Sequence, residues 1–468
     1  MIAKKSSEAK YKSCRIDGIG ITHDRLTSRG GLTLFVKYIT NIGILPELER
    51  RFGRLRKSSK GVPLQEVFKQ ILCFFFDGTS RHLTRFDALK RDEGYAGGIE
   101  TAPEDLASSH AIKRFFQSFS PVLIWLFRPL LQQLFIWRLR LEQPGTVVVG
   151  LDTMVMDNDE AAVRHGVQPT YKKAKGFQPL QLTWGRFIVD AVFRGGRKHS
   201  NHGDTAAKMI LHIVAKIRTG YRGDVPIVLL MDSGFFDQKL FDLCERLKIG
   251  FVCGGRLSQE VKNYVAAAAG SGFAEYRKDA QVWDYLEFGH HPASWDRYRR
   301  AVFCRPRYED RQALLEFARP DTVIYSNLGM GQWIDGLLKA ADHGDWLSVE
   351  GLIGLYHGRG RDELVFRSLK DFGFEALPFK RFTPNAALYY LMLLAFFLGE
   401  AYQQDVLSDV VGPQAYPTTL RRRAVDFAAK IVRTGGKTLL KVTEAVWESL
   451  SISTLWAKCG RPPDICWD

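Results

Sequence analysis

Four residues in the last third of the chain whose types could do chemistry stand at a spacing that puts them on one face of a helix: Tyr356, Arg359, Glu363 and Lys370, in the pattern Y-x2-R-x3-E-x6-K. On an α-helix each residue advances by about 100°, so with Tyr356 at zero, Arg359 falls at about −60°, Glu363 at about −20° and Lys370 at about −40°. An acid, two cations and a phenol then share one stripe within an arc of about 60°. Asp362 falls about 120° from Tyr356 and is not the acid of that stripe. Gly358 and Gly360 can distort the first turn. Taken alone, the segment also reads as a solvent-facing helix with Glu363 and Arg367 as an ordinary i,i+4 pair. Two aspartates upstream tip the balance. Asp152 follows the valine-rich run 146–151 (TVVVGL), and Asp232 follows 225–231 (VPIVLLM). Such short apolar runs predict buried strands, and the carboxyl ends of central strands are where α/β sheets form their sites. Either aspartate could instead cap the next turn. Asp157 and Asp159 compete with Asp152, which is preferred because it directly follows the apolar run.

The elements that must position these groups follow from periodicity. Residues 180–194 (LQLTWGRFIVDAVFR) predict a hairpin turning near Gly185. A helix is predicted from Asp204, as N-cap, to Arg218, with apolar positions 206, 209, 210, 213, 214 and 217 on one face. Residues 239–249 predict another helix, stopped by Gly250, and 251–253 a short strand. The order is three strands, a helix, a strand, a helix and a strand. Residues 283–288, 298–304 and 322–328 predict further strands, so 256–344 reads as a β-rich insertion. Helix returns near Asp345 and continues, with breaks, to Phe372. Residues 1–140 read mainly as helix, including 64–76 with apolar residues at the helical period. The longest apolar run, 386–399, falls short of the ~20 residues a membrane span needs and predicts a buried core helix opened by Thr383-Pro384.

On these residues the chain resembles the DDE transposases of bacterial insertion sequences, in the cut-and-paste group marked by a Tyr-Arg-Glu-Lys signature and a β-rich insertion before the catalytic Glu. Asp152 in GLDTM, Asp232 in LLMDSGF, the four signature positions and the segment 173–179 (KAKGFQP) carry the resemblance, which spans about 146–400. It implies an α/β fold: a ribonuclease-H-like catalytic core interrupted by a β-rich insertion, flanked by helical N- and C-terminal regions. The expected boundaries are 1–143 for a helical DNA-binding region, 144–255 and 345–402 for the two parts of the catalytic domain, 256–344 for the insertion, and 403–468 for a helical C-terminal region. It also implies that Asp152, Asp232 and Glu363 are the catalytic residues and hold two magnesium ions, with manganese as a substitute. Tyr356, Arg359 and Lys370 would hold the DNA backbone. The chemistry agrees, because in-line attack on a phosphodiester can be served by two ions about 3.5–4 Å apart, and magnesium takes hard oxygen ligands. The group's hairpin intermediate would force out a terminal base. Trp283, Trp295 and Trp333 each read first as core residues, as a tryptophan in a β segment usually is, and Trp295, in the loop segment HHPASWDRY, is the slight favourite as stacking partner.

The charge balance points to the same class of partner. Lys and Arg exceed Asp and Glu by +15, which favours a polyanion. Arg51, Arg54, Arg56 and Lys57 form part of a basic cluster over 50–60 that reads either as a solvated loop or as a phosphate-contacting arm. The expected partners are double-stranded DNA, as terminal inverted repeats and as target, and a second copy of the chain on paired ends, with helices near 384–402 and 424–450 as contacts. No membrane partner is expected. Seven scattered cysteines without a CxxC pair argue against a disulfide framework or a zinc site, and the polar start MIAKKSSEAKYKSC carries no signal-peptide core. The expected setting is the bacterial cytoplasm, at the nucleoid. The alternatives are a catalytically inactive, transposase-derived DNA-binding protein and another ribonuclease-H-like nuclease. No GxSxG, P-loop or HExxH motif supports a small-molecule hydrolase.

Overall fold

The computed structural model describes residues 16, 18–56, 60–268, 272–278, 281–307 and 321–467. The chain opens with a short strand, β1 (Arg25–Thr27), and then helices α1 (Leu32–Asn41), α2 (Ile44–Phe52), α3 (Leu64–Asp77), α4 (Ser109–Gln117) and α5 (Phe127–Glu142). The apolar period of α3 buries Leu64, Phe68, Ile71, Leu72, Phe75 and Phe76. Gly78, at φ 62°, ends it in the left-handed conformation that glycine adopts without steric cost.

The central elements follow in sequence: β2 (Val147–Thr153), β3 (Met156–Asp157), β4 (Gln168–Pro169), β5 (Lys175–Phe177), β6 (Leu180–Trp184), β7 (Phe187–Val192), α6 (Thr205–Gly220), β8 (Ile227–Met231), α7 (Gln238–Arg246) and β9 (Gly250–Gly254). β10 (Ala274–Lys278), β11 (Gln281–His290), β12 (Arg299–Arg307) and β13 (Thr322–Ser326) come next. Nine of these strands form one mixed sheet in the order β10-β11-β12-β13-β9-β8-β2-β6-β7, and β3, β5 and β4 form a small sheet of their own. β2 and β8 run parallel, as do β8 and β9, whereas β6 is antiparallel to β2. The strands of the expected insertion therefore continue the central sheet, through β13 pairing antiparallel with β9. The hairpin near Gly185 forms as expected, with that glycine at φ 57°. Asp204 does not cap α6 with its side chain. It sits at φ 55° at the end of a single turn over 202–204, so the turn supplies the entry to the helix.

The last third adds α8 (Trp333–Ala340), α9 (Val349–Gly358), α10 (Gly360–Phe372), α11 (Phe382–Asp405), α12 (Pro417–Ala424), a hairpin of β14 (Ala429–Thr434) and β15 (Lys437–Lys441), and α13 (Ile452–Gly460). α11 begins one residue before Thr383, and Pro384 lies in its first turn, where no backbone N–H is needed. Two described helical stretches, 121–142 and 382–405, are long and apolar enough to cross a membrane, but 89% of the most apolar window of the second is buried inside the protein. The expectation that α11 helps a second copy bind fails for the same reason: its residues fill the core. The expectation of a purely helical C-terminal region also fails. Gly435 and Gly436, both at positive φ, make a two-residue turn of the kind that closes a hairpin over 429–441. That hairpin pairs with β1, and α13 packs on α1, so the two ends of the chain build one body.

Candidate active site

The parallel register pairs Leu151 with Met231, so Asp152 and Asp232 leave adjacent strands at the same end of the sheet. Neighbouring strands lie about 4.8 Å apart. Both aspartates are half-buried. Asp152 accepts a hydrogen bond on Oδ1 from the Thr153 N–H at 2.6 Å. Asp232 accepts one on Oδ1 from the Gly234 N–H at 2.9 Å and so caps the turn over 233–235. The capping role weighed for Asp232 is therefore real, and it uses only one carboxylate oxygen. Burial pushes the Asp232 carboxyl above the usual range, against the pull of the Arg359 charge and of the Gly234 and Phe235 N–H groups.

Arg359 is the cation between the two acids. Its Nη1 lies 3.4 Å from Asp152 Oδ2, and its charge also acts on Asp232. Its guanidinium stands 5.8 Å from the centre of the Tyr356 ring. The Tyr356 phenol is pushed up by burial. Gly254, at the end of β9, makes room for it: a Cβ there would come within 2.6 Å of the Tyr356 hydroxyl and 3.0 Å of the Ser233 nitrogen. Asp152, Asp232, Tyr356 and Arg359 thus meet at one end of the sheet.

The four-residue stripe is not carried by one continuous helix. Tyr356 lies on α9, Glu363 and Lys370 lie on α10, and Arg359 is the junction residue between them. Gly358 and Gly360 flank that junction, where the ladder of helical hydrogen bonds is interrupted. The Glu363 side chain is 70% exposed and pairs with Arg367 at 3.3 Å, the plain surface pair weighed in the sequence. Lys370 Nζ is 3.0 Å from Glu375 Oε2. Among the described residues no three His, Cys, Asp or Glu side chains stand close enough together to hold one metal ion.

Tyr171 escapes the sequence reading. Its phenol is raised by partial burial and then by the charges of Asp152, Asp232 and Glu363. The only signal in the sequence is its place two residues before the segment 173–179. Asp157 and Asp159 serve the local backbone instead, accepting from the Asp159 and Lys175 N–H groups.

The remaining expected DNA contacts scatter. Arg51 pairs with the buried Glu47 and hydrogen-bonds Gln133, an internal tie rather than an open arm. Arg54 is exposed, Arg56 donates to the Gly61 carbonyl at 3.1 Å, and Lys57 lies outside the described residues. Trp295 is half-buried in an aromatic cluster, with ring centres 5.1 Å from Phe236, 5.7 Å from Phe241 and 5.9 Å from Tyr325. Its loop position is visible in the sequence, but the rings brought beneath it by β13 and α7 are not. Trp283 is buried and stacks on His357. Trp333 is exposed, but it stands beside Lys248, which precedes β9, at the opposite end of the strands from Asp232.

The sequence profile of the family described as Transposase DDE domain group 1 matches residues 7–458. Among solved structures the chain is similar to a cryo-EM structure of a piggyBac transposase synaptic complex with hairpin DNA, at 14% identity, 84% coverage of this chain, 79% coverage of that chain and a TM-score of 0.40. No curated protein matches the sequence.

Proposed function

Because the chain belongs to the transposase DDE domain family, group 1, we propose that it is a metal-dependent DNA transposase that cleaves DNA at the ends of a mobile element and joins those ends to a target. The observation that carries the reading is the pair Asp152 and Asp232 on adjacent parallel strand ends, with Arg359 as their counter-charge. The strand order β7-β6-β2-β8-β9, with β6 antiparallel, supports a ribonuclease-H-like core.

DDE transposases use divalent metal ions, and the donor set here fits them. Two carboxylates share a half-buried site, and a third, Glu363, lies on α10 just beyond the Arg359 junction. Hard oxygen ligands of this kind suit magnesium or manganese. Asp152, Asp232 and Glu363 would hold the ions, which when bound supply Lewis acidity and neutralise charge during in-line attack on a phosphodiester. Around that centre the chain's own groups position the DNA. Arg359 can grip a phosphate in two-pronged fashion, and Lys370 offers a point charge. The Tyr356 hydroxyl can donate a hydrogen bond to a phosphate oxygen. The finer reading is cut-and-paste transposition through a hairpin intermediate by two copies on paired DNA ends, at the nucleoid.

The test is cleavage of labelled end DNA by Asp152→Ala, Asp232→Ala and Glu363→Ala variants. Each should lose strand cleavage by at least about 100-fold, the scale on which a central catalytic group acts, while keeping its affinity for end DNA. Near-normal cleavage by any one of them would remove that residue from the centre.

A further inference from the structure

A cleft of 1210 Å³ opens between the N-terminal helices and the segment leading into α11. Its lining carries Arg81 and Lys113 from the N-terminal region and Lys380 and Arg381 from the segment that leads into α11. Arg81, Lys380 and Arg381 are exposed and Lys113 is half-buried, and none of the four forms an ion pair among the described residues. Arg164, a fifth cation in the lining, is committed to the Leu377 carbonyl and braces the wall. The carboxylates facing the cleft are Asp157 and Glu375. The first accepts from the backbone and the second is paired with Lys370, so neither forms an ion pair with the four cations.

The cleft is larger than the roughly 300–1,000 Å³ of small-molecule pockets. Four cations without an ion pair among the described residues, gathered in one cleft of this size, suit an extended polyanion better than a compact one. The cleft is linked to the carboxylate site at two points. β2 leads from Asp152 directly to β3, whose Asp157 lines the cleft. Lys370, on the helix that carries Glu363, is joined to the cleft wall through Glu375.

We infer that this cleft is a second DNA-binding site, a track for the phosphodiester backbone running away from the point of cleavage, read by Arg81, Lys113, Lys380 and Arg381 through charge rather than sequence. The inference rests on the transposase reading, and the backbone could belong to the element end or to target DNA. The full-length protein, without metal, is titrated with fluorescein-labelled duplexes of end sequence and of random sequence across a range of salt concentrations. Every phosphate that no longer meets a cation lowers the slope of log affinity against log salt by about 0.9. The variant Arg81→Gln/Lys113→Gln/Lys380→Gln/Arg381→Gln should therefore lose between about 2 and 4 units of slope. The charge-preserving variant Arg81→Lys/Lys113→Arg/Lys380→Arg/Arg381→Lys should keep most of it. The single variant Lys380→Glu, at an exposed position, should lose about 1 unit or more and guards against a folding failure in the fourfold variant. Loss with end DNA assigns the track to the element, and loss with random duplex alone assigns it to the target. Both support the track. Wild-type binding with an unchanged slope in the fourfold and Lys380→Glu variants would overturn the track and leave the transposase reading standing. A wild-type protein that binds neither duplex would overturn both.

Discussion

At the scale of single residues, Arg359 is the counter-charge of two acids, and under the proposed function it would have to leave them to grip a phosphate. Without a metal ion it is the charge that keeps Asp152 and Asp232 tolerable side by side in a half-buried place. Replacing it with alanine should therefore destabilise the protein by about 1–2 kcal/mol, a figure held down by the partial exposure of the pair. Thermal melts should show that loss in chelator and a smaller loss in millimolar magnesium. Equal losses in both would reduce the arginine to a packing role. Asp232 gives a second prediction. Burial raises its pKa above the unfolded value, so its contribution to stability is fully present below the ordinary carboxylate pKa and is lost as pH rises through the folded one. At neutral pH the ionised carboxylate is then a burden on the fold. Asp232→Asn keeps an oxygen for the Gly234 N–H and removes the charge. In chelator its Tm should exceed that of the wild type at pH 7, and the gain should vanish near pH about 4, where the wild-type carboxyl approaches its ordinary protonation range. A lower Tm at pH 7 would show that the charge is well paired.

At the scale of elements, what the sequence announces is whatever a local pattern can specify. β2 and β8 are legible as short valine- and leucine-rich runs, α3 as an apolar stripe, and α11 as an apolar run too short to span a membrane. Asp152 and Asp232 are legible because each follows such a run. Partners distant in the chain leave no such mark. Nothing near Glu363 says that its carboxylate turns to Arg367, since both the stripe and the surface pair are compatible with the same helix. The strand β14 reads as a basic stretch until β1 supplies the edge it pairs with. The junction at Arg359 is half-announced by its flanking glycines. Gly254 belongs with these hidden features, because its need for a missing Cβ comes from a tyrosine roughly 100 residues later in the chain. Gly254→Ala should cost about 1–3 kcal/mol in urea unfolding, as overpacking does. It should also lower strand cleavage by shifting Tyr356. Unchanged stability and cleavage would mean that the tyrosine moves aside freely.

At the scale of the whole molecule, the N-terminal helices are packed into the rest of the described fold. α3 packs on α11, and Asp405 at the end of α11 accepts hydrogen bonds from Tyr38 at 2.6 Å and Arg138 at 2.8 Å. Arg421, with its guanidinium buried, donates to the carbonyls of Phe75, Phe76 and Phe372, tying α12 to the ends of α3 and α10. A fragment of residues 1–143 should therefore show weak helical circular dichroism and rapid proteolysis. A cooperative thermal melt of that fragment would contradict this.

The pairing of β1 with β14 also sets a timetable. Arg25 meets Ile431, roughly 400 residues later. At the usual synthesis rate of about 5–20 residues per second, the first strand leaves the ribosome roughly 20–80 s before its partner exists. For that interval it is an open edge, the kind of template that recruits other chains. Its brevity limits the hazard, because three residues offer too few backbone hydrogen bonds to hold a stranger. The strands that carry Asp152 and Asp232 emerge well before the hairpin that pairs with β1, so the newborn chain acquires the sheet of its candidate site first and its final clasp last.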